Sequence, residues 1–256
     1  MIDLKAILGK MHCQRGNILF LILLAVVLFA ALSYAVTSST RGGGKDVGDE
    51  KAQSIASALL QYASLAEQTV SRLKLTNGCS DTQLSFENGT VTGYANANAP
   101  ADKRCHVFDP AGGGMAWQSP PIGANSDGTP YLFTAQICIP SVGTGPVSGC
   151  WTDGSDSDTE LLIMLSGVNE KVCNYINARS DIAAAGDGLP PFSNGGSMQT
   201  KYKFTGTFLG TTSSNHIAGL AFKGRPTGCF EMPASAGDNS NTRAGNYVFY
   251  HTLLVR

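Results

Sequence analysis

The sequence predicts an α+β protein in which a long N-terminal transmembrane and amphipathic helix precedes a loop-rich antiparallel β-sheet body with at least one further helix. Three observations predict it. Ile18 to Val36 is an apolar run without a charge, residues 52–73 carry a single apolar stripe at helical spacing, and from Cys79 onward short apolar runs alternate with turn clusters. The boundaries that follow are a basic leader over 1–16, a transmembrane helix over 17–40, a glycine hinge and amphipathic helix over 41–76, and an exported, disulfide-bearing body over 77–256.

The uncharged run "ILFLILLAVVLFAALSYAV" rises about 1.5 Å per residue as a helix and so nearly matches a hydrocarbon core about 30 Å thick. Lys5, Lys10 and Arg15 precede it, whereas Arg41 and Lys45 behind it are diluted by Asp46, Asp49 and Glu50. That bias favours the N-terminus inside and sends the rest of the chain outward. A secretory signal cut after Ala35 competes with this reading, since Ser33 and Ala35 are small, but the run is longer than an h-region of about 7–15 residues.

Behind the run, Ala52, Ile55, Leu59, Tyr62, Ala66, Val70 and Leu73 recur at spacings of 3, 4, 3, 4, 4 and 3. One helical face is therefore apolar. The remaining positions are mostly adequate helix formers, and "NGC" at Asn77 to Cys79 supplies a stop. "RGGG" at Arg41 to Gly44 marks a hinge between this helix and the span.

A short basic leader ending in Gly16, an uncharged apolar segment and an amphipathic helix together resemble the class III signal of type IV pilins and pseudopilins, over roughly residues 10–75. The resemblance implies that a prepilin peptidase cuts between Gly16 and Asn17 on the cytoplasmic side of the membrane. It implies further that the apolar helix is kept, first in the cytoplasmic membrane and later among other pilin-like subunits. Asn17 replaces the family's usual phenylalanine, and Leu21 stands where most members carry a glutamate at the fifth mature position. That pattern points to the minor, tip-type pseudopilins rather than to a major pilin. A plain signal anchor holding a periplasmic or surface domain is the alternative.

Composition agrees with an exported body. Charged residues are only 14% of the chain against about 25% in a typical soluble protein, and the 30 glycines imply many turns. A formal net charge of -1 without a Lys/Arg cluster removes the footprint of a nucleic-acid binder. Six cysteines, Cys79, Cys105, Cys138, Cys150, Cys173 and Cys229, lie behind the span at spacings of 26, 33, 12, 23 and 56, which fit no zinc pattern. They read as up to three disulfides of an oxidising compartment, with the pairing open. Cys13 lies ahead of the run.

Within the body, "TQLSFENGTVTGY" reads as a hairpin around Asn88 and Gly89. "YLFTAQICIP" reads as a central strand, and "KYKFTGTFLG", "IAGLAFKG" and the terminal "NYVFYHTLLVR" as further strands. Leu161, Leu162, Leu165, Val168, Val172, Cys173 and Ile176 follow helical spacing, with Ser157 and Glu160 as a capping box. Cys173 would then tie this second helix to another element.

Little in the chain calls for catalysis. No GxSxG, HExxH, phosphate loop or dinucleotide fingerprint is present, so the expected function is structural and not enzymatic. "DGSDSDTE" places Asp153, Asp156 and Asp158 where they could hold calcium, although the EF-hand order is missing; no other cofactor is expected. Cys105 and His106 are adjacent, which in a strand points them to opposite faces and argues against a thiol pair. "WQSPPIG" around Trp117 offers aromatic surface that reads as core or as a binding face. An exported enzyme would need a polar cluster gathered around Asp153 or His106.

Overall fold

In a computed structural model of the protein, residues 18–40, 48–143, 159–193, 202–208, 216–217, 219–233 and 243–256 are described. The chain divides into two units, Met1–Asp46 and Val47–Arg256. In the first, α1 runs from Ile18 to Thr40, 23 residues with no acidic first turn and no basic last turn. Its described apolar side chains, among them Phe20, Leu23, Leu28 and Phe29, are exposed. Those described side chains are continuous only over residues 22–31. Counted on them alone, no helix is long and apolar enough to cross a membrane.

The second unit is an antiparallel four-stranded sheet with helices against it. α2, Asp49–Asn77, opens on Asp49 and Glu50, which favour the positive end of the helix dipole, and buries all seven stripe residues. It ends where the sequence stops it: Gly78 adopts φ 66°, a left-handed conformation that glycine reaches without strain, and the Cys79 amide closes onto the Leu73 carbonyl. The strands are β1 (Leu132–Ile137), β2 (Glu160–Val168), β3 (Thr227–Pro233) and β4 (Arg243–Leu254), in the order β1-β2-β4-β3. α3, Glu170–Arg179, follows β2 and is capped by the Asn169 side chain, which accepts from the Lys171 amide.

β2 corrects the helical reading of residues 161–168. Its side chains alternate between two cores, Leu161, Ile163 and Leu165 on the α2 side, Leu162 and Met164 on the other. A strand buried on both faces reads as an unbroken apolar run, and the spacing 161, 162, 165, 168 then mimics a helix. The helix begins only at Glu170. Glu160 is therefore no N-terminal cap; it is buried in β2, and its Oε2 accepts the Ile139 amide at 3.0 Å. Ser157 lies outside the described residues.

Other local readings change too. β1 lies at the sheet's edge and not its centre. No hairpin forms around Asn88, because its side-chain oxygen accepts from the amides of Thr90 and Val91 while its amide donates to the Phe86 carbonyl. This satisfies the turn locally and leaves Ser85 to pair with His106 instead. Residues 202–208 form no strand, although Phe204 is buried, and Leu220–Phe222 is a 3₁₀ turn. The terminal strand stands as expected in β4, paired with β2 and β3.

Two disulfides join pairs of described residues in the second unit. Cys79–Cys105 joins the end of α2 to the loop carrying His106, and Cys173–Cys229 joins α3 to β3, the tie expected of Cys173. Cys138 is also disulfide-bonded, whereas Cys150 lies outside the described residues.

Candidate functional site

One concavity is built by two loops, 85–89 and 103–117, locked together by backbone bonds. Ser85 donates to the Cys105 carbonyl and Val107 to that of Ser85, while Gly113 donates to His106 and Met115 to Val107. The Arg72 guanidinium of α2 donates to the Gly113 carbonyl. A Cβ on Gly112 would fall against the His106 carbonyl and one on Gly113 against that of Val107, so the backbone is close-packed at both glycines.

These loops enclose about 390 Å³ lined by Glu87, Lys103, His106, Phe108, Asp109 and Trp117, among others. Phe108 and Trp117 give it an aromatic floor, meeting edge-on at 5.2 Å, and Phe108 packs in turn on the buried Phe133 at 5.7 Å, which stacks on Phe86 at 4.3 Å in the core. The Trp117 indole nitrogen is buried without a hydrogen-bond partner among the described residues. Polar groups stand around this floor. Lys103 pairs with Asp109 at 3.2 Å, and the Asp109 carboxyl is held below its usual range, first by the Ala111 amide and then by Lys103. His106 Nδ1 stops 4.0 Å from the Glu87 carboxylate.

A second groove, about 370 Å³, lies beside His251. Here Nε2 meets Glu67 of α2 at 2.9 Å, and Nδ1 meets the Thr227 hydroxyl of β3 at 2.6 Å. With the carboxylate accepting from Nε2–H, Nδ1 accepts from the hydroxyl. Burial holds the His251 pKa below 6.5, against the raising effect of Glu67.

The sequence singled out His106 and Trp117, and they share the first site. It missed Glu87, Lys103 and Asp109, which the loops deliver, and the Glu67–His251–Thr227 chain, whose members come from three elements. The register partners Thr227 and His251 are visible only once β3 is paired with β4. Cys105 is oxidised with Cys79, which removes the thiol chemistry weighed for Cys105 and His106. Among the described residues no three His, Cys, Asp or Glu side chains gather for a metal. Asp153, Asp156 and Asp158, like the processing residues Gly16 and Asn17, lie outside the described residues. No family model, curated protein or solved structure matches the chain.

Proposed function

We propose that the chain is a non-catalytic, pilin- or pseudopilin-like structural subunit of an envelope filament or secretion apparatus. α1 anchors it in the cytoplasmic membrane with the N-terminus inside, and the body lies in the periplasm or on the cell surface. The observation that carries this reading is α1 itself, a helix of 23 residues without a charged side chain whose described apolar side chains are exposed. Apolar surface of that extent calls for lipid or for other copies of the same helix. Prepilin peptidase and other pilin-like subunits are the partners that follow.

Intact mass and N-terminal sequencing of the protein from its own membranes test the proposal. A chain beginning at Asn17, methylated there, is the expected outcome. A start at Val36 means a secreted protein and an intact Met1 a plain anchor, and either overturns it. The pocket at His106 favours a second reading, a signal-anchored ligand-binding domain, for which retention of Met1 is the expected result.

A further inference from the structure

We infer that the pocket formed by Glu87, His106, Lys103, Asp109, Phe108 and Trp117 binds a neutral saccharide. The inference goes beyond both readings above, neither of which names a ligand. Its starting point is the gap between His106 and Glu87. The imidazole side chain is 10% exposed, yet neither ring nitrogen has a hydrogen-bond partner among the described residues, and the nearest carboxylate oxygen is 4.0 Å away. That distance is too long for a hydrogen bond and suits a bridging group between the two.

The bridging group must satisfy an imidazole nitrogen and donate to a carboxylate. A hydroxyl does both, because one oxygen carries a donor and two lone pairs and so serves the ring nitrogen in either tautomer. A bound anion would meet Glu87 and Asp109 as like charges, and a bound cation would meet Lys103. The Lys103 ammonium lies on Asp109 and offsets its charge, which leaves the Glu87 carboxylate as the acceptor that faces His106. What remains beside the Lys103–Asp109 pair is a carboxylate acceptor next to an imidazole that can donate or accept, which matches a polyol with neighbouring hydroxyls. The floor of Phe108 and Trp117 supplies the apolar surface that the C–H face of a pyranose covers.

Size and stiffness agree. About 390 Å³ is at the small end of small-molecule sites, the scale of one or two sugar rings. The walls are preorganised by the Cys79–Cys105 disulfide, the Ser85–His106 bridge and the crowded Gly112 and Gly113, so little ordering remains to oppose binding.

The test uses the full chain and saturation-transfer NMR with the methyl glycosides of glucose, galactose, mannose and N-acetylglucosamine at millimolar concentration. At least one glycoside is expected to receive saturation from the protein and to be displaced by the same free sugar. Glu87→Ala and His106→Gln are each expected to weaken the binding tenfold or more, while Thr227→Ala in the other groove leaves it unchanged. Tryptophan fluorescence in a Trp151→Phe background gives an independent readout near Trp117 and checks that the variants are folded. No saturable signal with any glycoside, a signal undiminished in both folded variants, or saturation by phosphate or acetate in place of sugars would each overturn the assignment. Such a failure leaves the N-terminal sequencing result untouched, so the two proposals fail separately.

Discussion

His106 and His251 have side chains equally shielded, 10% exposed each, and each has one glutamate beside it, yet they are used in opposite ways. His251 is committed on both ring nitrogens, to Glu67 and Thr227, and so stitches α2 to two strands. His106 is committed on neither. The difference lies in what holds each imidazole in place. His251 sits on β4, where register brings Thr227 opposite it and helix packing brings Glu67 above it. His106 sits on a loop whose rigidity comes from a disulfide and backbone bonds, which leaves its ring free for another molecule.

The largest break in this comparison is removal of the Cys79–Cys105 bond. Cys79→Ser with Cys105→Ser opens a link of 26 residues in sequence, a loop whose closure is worth about 3–4 kcal/mol. The melting temperature is expected to fall by roughly 6–16 °C for a body of this size. Because the His106 loop loses its brace, the hydrogen-exchange protection of the Val107 and Gly113 amides should fall more than that of β4. Equal loss at both places would show that the disulfide braces the whole body and not the pocket.

A smaller effect separates the two histidines directly. Thr227→Val keeps the shape and removes the hydroxyl that His251 Nδ1 accepts from, leaving that nitrogen without its partner at a cost of about 1–2 kcal/mol. Urea denaturation should report it as a lower midpoint with an unchanged slope. An unchanged midpoint would mean that the 2.6 Å contact contributes no net stability.

α2 was legible because its periodicity coincides with its burial: all seven stripe residues face one core, and "NGC" ends the helix as read. β4 was legible from its apolar, aromatic composition. β2 was not, because α2 covers one face of the sheet and Ile182, Ile217 and Phe222, from outside the strands, help to cover the other, which erases the alternation that marks a strand. At Asn88 a hairpin signal lost to an Asx turn that satisfies the same backbone groups without a partner strand. The pocket was half legible. His106 and Trp117 stood out by residue type, but Glu87 reaches His106 only through the parallel pairing of Ser85 with His106, a contact between chain segments that no local pattern encodes.

The pH response sharpens the comparison further. Burial holds the His251 pKa below 6.5, so the unfolded chain takes up a proton at a pH where the folded chain resists it. Stability is therefore fully present above the ordinary value and falls as the pH drops through the lower folded value. His216, depressed by burial alone, adds to the loss with the same sign. Melting curves between about pH 7 and 5 should slope downward toward acid, and His251→Gln should flatten that slope in part, with His216 sustaining the rest. A slope unchanged in His251→Gln would assign the whole effect elsewhere.

The smallest stability effect should accompany the largest functional one. Glu87 is 57% exposed and stands 4.0 Å from His106, so Glu87→Gln removes a weak, solvent-screened attraction and should move stability by less than about 0.5 kcal/mol. The amide keeps the size of the carboxylate but replaces one acceptor oxygen with a donor. A hydroxyl bridging to His106 then loses its charged acceptor, and charge-assisted bonds are roughly twice as strong as neutral ones. Saccharide binding should weaken with the fold intact. The matching change at the other histidine, Glu67→Gln, should do the reverse, lowering stability while leaving saccharide binding alone, because Glu67 is bonded to His251 at 2.9 Å. If both substitutions affect only stability, the open imidazole is a packing feature and the contrast between the two histidines carries no function.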